Sequence, residues 1–576
     1  MNRLIQWSGI FVFLLLFTNP RIVSAKVYPT DFFRWPVEHK VRLSGTFGEL
    51  RPNHFHGGLD IKSKSGSAGD KLLAAGEGYV YRISVHESGY GHALYIMHPN
   101  GYVTVYGHMK KFNKALSEYV KSKQYEAESF RQNLFPPKDL FPVSRGDLIG
   151  YMGNTGSSGG AHLHFEIREA KTEAQLNPLL FGLNVGDHLP PSLRQLKVYN
   201  FASDNSMLGS SVFQLKKVGN SYAIEGDTLL LKGDMLGLAL KAYDKQDNSR
   251  HLNGIYALEM KVGGELVHSF SMDKIDIAST RYINAHLDYK EQIEKKSYFN
   301  RCFRLPGNKL DIYKGGKGNG VIANSKRALK VEFLVKDING NISKLSFWVK
   351  RAPVQKSLSK KALAYDYYLY HNQANLIVED DCQIYFPEGT LYQDEMMHLS
   401  LSGNKEKGIY SKTLHLGKYT EPLHKYINIA LRWEGPETKR EKAFIGACDA
   451  RGRITHCGGE WKDSFLMASV RDFGQYAIYI DEQAPTIKPI VMRSDMRKYS
   501  KIKFSIKDNL RTARNVEGLT YRCEIDGNWV LMEYDKKYNL IYHRFDGSLK
   551  KGKHNLKLIV WDAVGNQSIF EKTFIK

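Results

Sequence analysis

A chain of 576 residues is too long for one hydrophobic core, so about three to five domains are expected. With 42% hydrophobic and 25% charged residues, its composition excludes a disordered chain. The 82 Lys and Arg against 60 Asp and Glu leave a net charge of +22, which favours anionic partners such as cell-wall polymers. Because no dense basic run is interleaved with aromatics, nucleic acid is not the expected partner.

Residues 1–25 carry Arg3 near the start, an apolar run from Ile10 to Phe17 and small residues at Ser24 and Ala25. This is the pattern of an export signal peptide cut after Ala25. The run is too short to span a bilayer comfortably, and no other stretch approaches the roughly 18–20 apolar residues a transmembrane helix needs. The expected location is periplasmic or secreted.

From Lys71 to Glu169 the pattern is short strands separated by glycine-rich turns. "HFHGGLDIKS" sets His56 and Asp60 four residues apart. "HALYIMHPNGYVTVYGHM" reads as a hairpin, with runs Ala93–Met97 and Tyr102–Tyr106 joined at Asn100-Gly101, and it delivers His108 to a strand end. In "KKFNKALSEYVKSKQYEAESFRQNLFPP", Leu116, Tyr119, Val120, Ala127, Phe130 and Leu134 recur at helical spacing up to Pro136-Pro137, so a helical insertion over about 111–140 is expected. The loop "NTGSSGGA" then leads into "HLHFEI". A strand alternates its faces, so His162 and His164 point the same way. A chance pair on a solvated strand face is the plain alternative.

Together His56, Asp60 and His164 offer two imidazoles and one carboxylate, a set suited to Zn²⁺ with a fourth position left to water. His162, and His108 at its strand end, would stand beside that metal without binding it. His54, His92, His98 and His188 fit no part of this pattern and read as surface or supporting residues. "HESGY" at 86–90 lacks the second histidine of a helical H-E-x-x-H site.

"HFHGGLD", "YVTVYGHM", "GDLIGYMGNTGSSGGAHLHFEI" and Asn177-Pro178 resemble the lysostaphin-type, or LytM-like, zinc endopeptidases that cut peptidoglycan cross-links. The resemblance covers residues 40–182, about a quarter of the chain. It implies one zinc held by His56, Asp60 and His164, with His162 and His108 acting on the water or the transition state. The implied partners are wall stem peptides, and Gly57, Gly58, Gly159 and Gly160 are expected to leave room for a narrow substrate. The alternative is a catalytically silent wall-binding module, or an activator of another hydrolase. All proposed ligands precede Leu189, so a fragment ending there is expected to fold and bind zinc.

Beyond "GDHLPPS" the composition becomes β-rich. Two segments look alike: a strand, a D-x-x-G-N turn (Asp337 to Asn341, Asp562 to Asn566) and a returning strand, with a looser version at "LALKAYDKQDNSRHLNGIYALEM". Such hairpins suggest immunoglobulin-like β-sandwiches. A calcium loop is one reading of these turns, but a plain turn explains Asp, Asn and Gly by backbone geometry. The expected architecture is therefore all-β dominated: export signal 1–25, LytM-like antiparallel peptidase domain 26–190 with its helical insertion, β-sandwich 191–352, β-rich domain 353–482, and an immunoglobulin-like β-sandwich at 483–576.

Overall fold

The computed structural model describes residues 28–323, 325, 327–352, 365–403 and 408–576; the expected export signal lies outside them. The strands that matter for the site are β1 (Leu43–Gly45), β2 (Leu59–Lys62), β3 (Gly78–Val85), β4 (His92–Met97), β5 (Tyr102–Gly107), β6 (Gln132–Leu134), β7 (His162–Glu169), β8 (Gln175–Leu176) and β9 (Lys274–Ile275). They form one antiparallel sheet in the order β1-β2-β7-β5-β4-β3-β6, with β8 on the far end of β7 and β9 on β8. The β4–β5 hairpin turns at Asn100-Gly101 as expected, Gly101 taking φ +81°. Burial of Leu163, Phe165 and Ile167 fixes one face of β7 in the core, each contributing about 1.5–3 kcal/mol. Period two then forces His162, His164, Glu166 and Arg168 onto the opposite face.

The insertion is helical only over α1 (Lys114–Glu126), capped by the Asn113 side chain on the Leu116 amide. Past Ala127 the chain takes a left-handed residue at Glu128 (φ +45°) and returns as β6, pairing with β3. Sheet pairing thus replaces the last turns that the apolar spacing predicted.

Downstream, strands Ser192–Phe201 and Met235–Tyr243 lie in a five-stranded sheet, whereas Ala257–Val262, Leu329–Lys336 and Ile342–Arg351 lie in a seven-stranded one. The looser hairpin therefore does not exist: its two strands belong to different sheets. Both tight D-x-x-G-N hairpins form, Leu329–Lys336 with Ile342–Arg351 and Lys553–Trp561 with Gln567–Ile575. Their alternating burial puts Leu345, Phe347 and Val349, and Leu556, Leu558 and Val560, into the sandwich cores. Two further sheets, of five and six strands, enclose a core running from Leu369 to Ile478, and two four-stranded sheets enclose the last one. Among the described residues no helix is long and apolar enough to cross a membrane.

The peptidase-type sheet and the first sandwich share a core. Beyond the β8–β9 pairing, Thr280 Oγ1 accepts from the Phe55 amide (3.0 Å), Asn284 Nδ2 donates to Asn53 (2.9 Å), and the Asn177 amide donates to Asp273 (2.9 Å). The first sandwich meets the third unit where Tyr282 stacks on His424, with centroids 3.8 Å apart. The third meets the last through Thr455 paired with Arg511. The last comes back to the first: Trp529 packs edge-on against Tyr125 of α1, Arg131 pairs with Glu517 and Arg522 with Glu128. Lys537 also donates to the carbonyls of Asn154 and Ser158.

Candidate metal centre

The register of two strand pairs builds the site. His164 lies directly across from Asp60 on β2 and from Gly107 on β5, so the ends of three strands converge on one spot. His56 enters from the turn before β2, and His108 follows β5 in a left-handed conformation (φ +61°) that a non-glycine residue rarely adopts. The Asp60 Oδ1, His56 Nε2 and His164 Nδ1 atoms form a near-equilateral triangle: Asp60 to His56 3.0 Å, Asp60 to His164 3.0 Å, and His56 to His164 3.1 Å.

Hydrogen bonds on the far sides of the rings decide what those atoms carry. His56 Nδ1 donates to the Thr46 carbonyl (2.8 Å), and His164 Nε2 donates to Glu166 Oε1 (2.8 Å). Neutral imidazoles so held turn bare lone pairs toward each other and toward a carboxylate oxygen. Three acceptors at that spacing require a cation between them. A tetrahedral zinc ion at about 2.0–2.1 Å from its ligands sets them roughly 3.3 Å apart, so this donor set and its size fit zinc. Burial opposes a charged His164, yet Asp60 and Glu166 outweigh it and push the imidazole up to about 9. Burial also opposes ionisation of Asp60, but His56, His162 and His164 hold its carboxyl well below the usual range. Arg51 reaches its other oxygen at 3.4 Å.

His162 and His108 complete the cluster without joining the triangle. His162 Nε2 stands 3.4 Å from Asp60 Oδ1, while its Nδ1 donates to the Gly160 carbonyl (2.9 Å). His108 Nδ1 donates to the Thr155 carbonyl (2.8 Å), and its ring lies 4.8 Å from that of His162. Burial, then the neighbouring His164 and His162, pull His108 down to about 3, so it is neutral and offers Nε2. All five residues singled out in the sequence thus come together. The remaining histidines do not: His98 is buried on Glu77 and Thr104, His92 stacks on Phe112, and His188 is an exposed partner of Asp247.

Sequence reasoning missed the support beneath His164. Glu166, fully buried, accepts from His164, from Arg168 Nε (2.6 Å), from Gln175 (3.0 Å) and from the Tyr90 hydroxyl (2.5 Å). Tyr90 also stacks on the His164 ring. The signal was present, since Glu166 and Arg168 continue the His162–His164 face at period two, where a charged pair on a buried strand needs partners. The expected role of two glycines is corrected. A Cβ on Gly57 would collide with the Gln175 amide and one on Gly58 with the Phe165 carbonyl at 2.3 Å, so these two admit the protein's own groups. Gly159 and Gly160 do face open space.

Residues 54–133 and 140–178 match the model of "Peptidase family M23", and residues 366–481 match that of the "Zu5-like domain". The M23 match runs through α1 and breaks only at 134–139. An uncharacterized metalloprotease of Haemophilus influenzae is 30% identical over 144 residues, covering 23% of this chain and 24% of its own. The DD-carboxypeptidase/endopeptidase Mpg of Neisseria meningitidis is 30% identical over 132 residues, 22% of this chain and 24% of its own. The murein hydrolase activator NlpD of Escherichia coli is 31% identical over 140 residues, 24% of this chain and 29% of its own. The chain thus matches about a quarter of the length of these relatives.

Proposed function

We propose, on the premise that residues 54–178 form an M23 (LytM-like) peptidase domain, that the protein is a zinc-dependent endopeptidase hydrolysing peptide cross-links of peptidoglycan. The carrying observation is the triangle of bare donor atoms on His56, Asp60 and His164, which needs a cation. These three residues would hold the zinc, which supplies Lewis acidity that activates water and polarises the peptide carbonyl. The chain's own groups do the rest. Glu166, fixed by Arg168 and Tyr90, keeps His164 in one tautomer and one orientation. His162 and His108 present Nε2 lone pairs toward the same space: one takes the proton of the attacking water and, so charged, passes it to the leaving amine, while the other accepts a hydrogen bond from that water and orients it. The export-signal pattern of residues 1–25 supports a location in the periplasm or outside the cell, and the Mpg relative carries endopeptidase activity in its name.

The test is digestion of purified cross-linked wall by the zinc-loaded protein, with mass spectrometry of the released fragments. New amino and carboxyl termini within the stem-peptide bridges are expected, with no cleavage of an unfolded protein substrate. A second reading, an activator of another wall hydrolase, is favoured by the NlpD match and opposed by the complete donor set. It predicts stimulation of a partner hydrolase and no fragments from this protein alone.

A further inference from the structure

The two D-x-x-G-N turns do more than reverse the chain. Around Asp337 the structure gathers Asp187, from the segment joining the peptidase-type sheet to the first sandwich, and Asp244, at the end of Met235–Tyr243. Around Asp562 it gathers Asp481, from the segment joining the third unit to the last, and Asp508, at the end of Lys501–Lys507. Within each triad the carboxylate oxygens lie within 4.8 Å of one another. The surrounding bonds repeat position by position. Asn341 Nδ2 donates to the Asp187 carbonyl (3.1 Å) and Asn566 Nδ2 to that of Asp481 (2.9 Å); Ser343 and Ser568 donate to the carbonyls of Pro191 and Pro485.

We propose that the Asp187–Asp244–Asp337 triad is a site for an oxygen-ligated divalent cation of the Ca²⁺ type, at the junction that leads into the first sandwich. Asp187, Asp244 and Asp337 are only 7%, 6% and 2% exposed, so the cluster concentrates negative charge away from water. Asp244 Oδ1 is buried with no hydrogen-bond partner among the described residues. Asn253, bridged to Asp244 through both backbone bonds and so on its face of the ladder, is 1% exposed with both amide atoms unpartnered. Burial, Asp187 and Asp337 all push the Asp244 carboxyl up, to about 7, and burial with Asp481 and Asp562 pushes Asp508 to about 6. A cation reverses that repulsion. Hard oxygen donors without nitrogen or sulfur select Ca²⁺ over zinc, and ligands of one Ca²⁺ at 2.3–2.6 Å lie at most about 5 Å apart. Because this triad takes one carboxylate from the joining segment and two from the sandwich beyond it, the cation would fix the angle between the two neighbouring units.

The full-length protein, stripped with EDTA and returned to chelator-free buffer, is titrated with CaCl₂ to several millimolar by calorimetry and melted with and without it. One Ca²⁺ per chain is expected, with a rise in melting temperature on the order of 5 °C. Asp244→Asn should abolish that binding, and Asp60→Ala should leave it unchanged. Absence of saturable binding to the unmodified protein would overturn the proposal. So would a rise in melting temperature in Asp244→Asn with the Ca²⁺ stoichiometry unchanged, the result for a triad that shares a proton.

Discussion

At the scale of single residues, the proposed function divides the work between the two histidines of β7 although they share a face. His164→Ala removes a corner of the donor triangle, so it should lose metal together with activity, since two remaining ligands hold zinc poorly. His162→Ala leaves the triangle intact, and metal content should stay near one zinc per chain. Its turnover should fall by on the order of 10²–10⁴. Elemental analysis beside a wall-digestion assay separates the two, and a metal-free His162→Ala would reassign that residue as a ligand. Glu166→Gln tests the support. It leaves the Arg168 guanidinium buried without its shortest partner, and stability should fall by about 3 kcal/mol in chemical denaturation. An unchanged denaturation midpoint would mean that Glu173 alone satisfies Arg168.

At the scale of elements, two glycines of one sheet predict opposite outcomes. Gly101→Ala meets open space, and only its positive φ is penalised, so it should destabilise by about 1 kcal/mol and keep its metal. Gly58→Ala drives a methyl into the Phe165 carbonyl at the β2–β7 seam, the same seam that sets Asp60 opposite His164. It should lose metal affinity as well as stability, as melting and metal analysis of the two variants would read out. The site itself was legible because period two is rigid: H-x-H on a strand has one geometric meaning, and the hairpin ending at His108 announced itself by Asn100-Gly101. The helix beyond Glu126 was misjudged because apolar spacing does not reveal a competing sheet edge, here that of β3. The looser hairpin failed for a related reason, since a sandwich sends consecutive strands to opposite sheets as readily as it pairs them. Glu166 went unnoticed because its meaning lies in Tyr90 and Gln175, 76 and 9 residues away.

At the scale of the whole molecule, the order of ligands in the chain is a poor guide to what folds alone. A fragment ending at Leu189 keeps His56, Asp60 and His164 but loses β9, Thr280 and Asn284, which hold β8 and the turn carrying Phe55 and His56. It should be recovered largely insoluble or with a strongly lowered melting temperature, whereas a fragment ending at residue 352 retains every one of those contacts and should melt cooperatively. Comparable solubility and melting of both fragments would show that the shared core is dispensable. The +22 charge bears on attachment. Retention on isolated sacculi should fall as salt rises from about 50 to 500 mM, because the Debye length contracts to a few ångströms; retention that ignored salt would point to specific short-range contacts instead.

The return of the last domain to α1 and to the 154–158 loop turns a string of four units into a closed linkage. In an open string each joint rotates freely of the others, but in a closed one a rotation at any joint must be matched by rotations elsewhere. The closing contacts include exposed ion pairs, each contributing about 1 kcal/mol or less, besides the Trp529–Tyr125 ring contact and the packing of Leu531 and Tyr534 on the first core, and the intervening chain keeps them at high effective concentration. The carbonyls that Lys537 grips belong to the loop running into His162. A tilt of the outermost domain is therefore delivered mechanically to the loop that leads into the proposed metal centre.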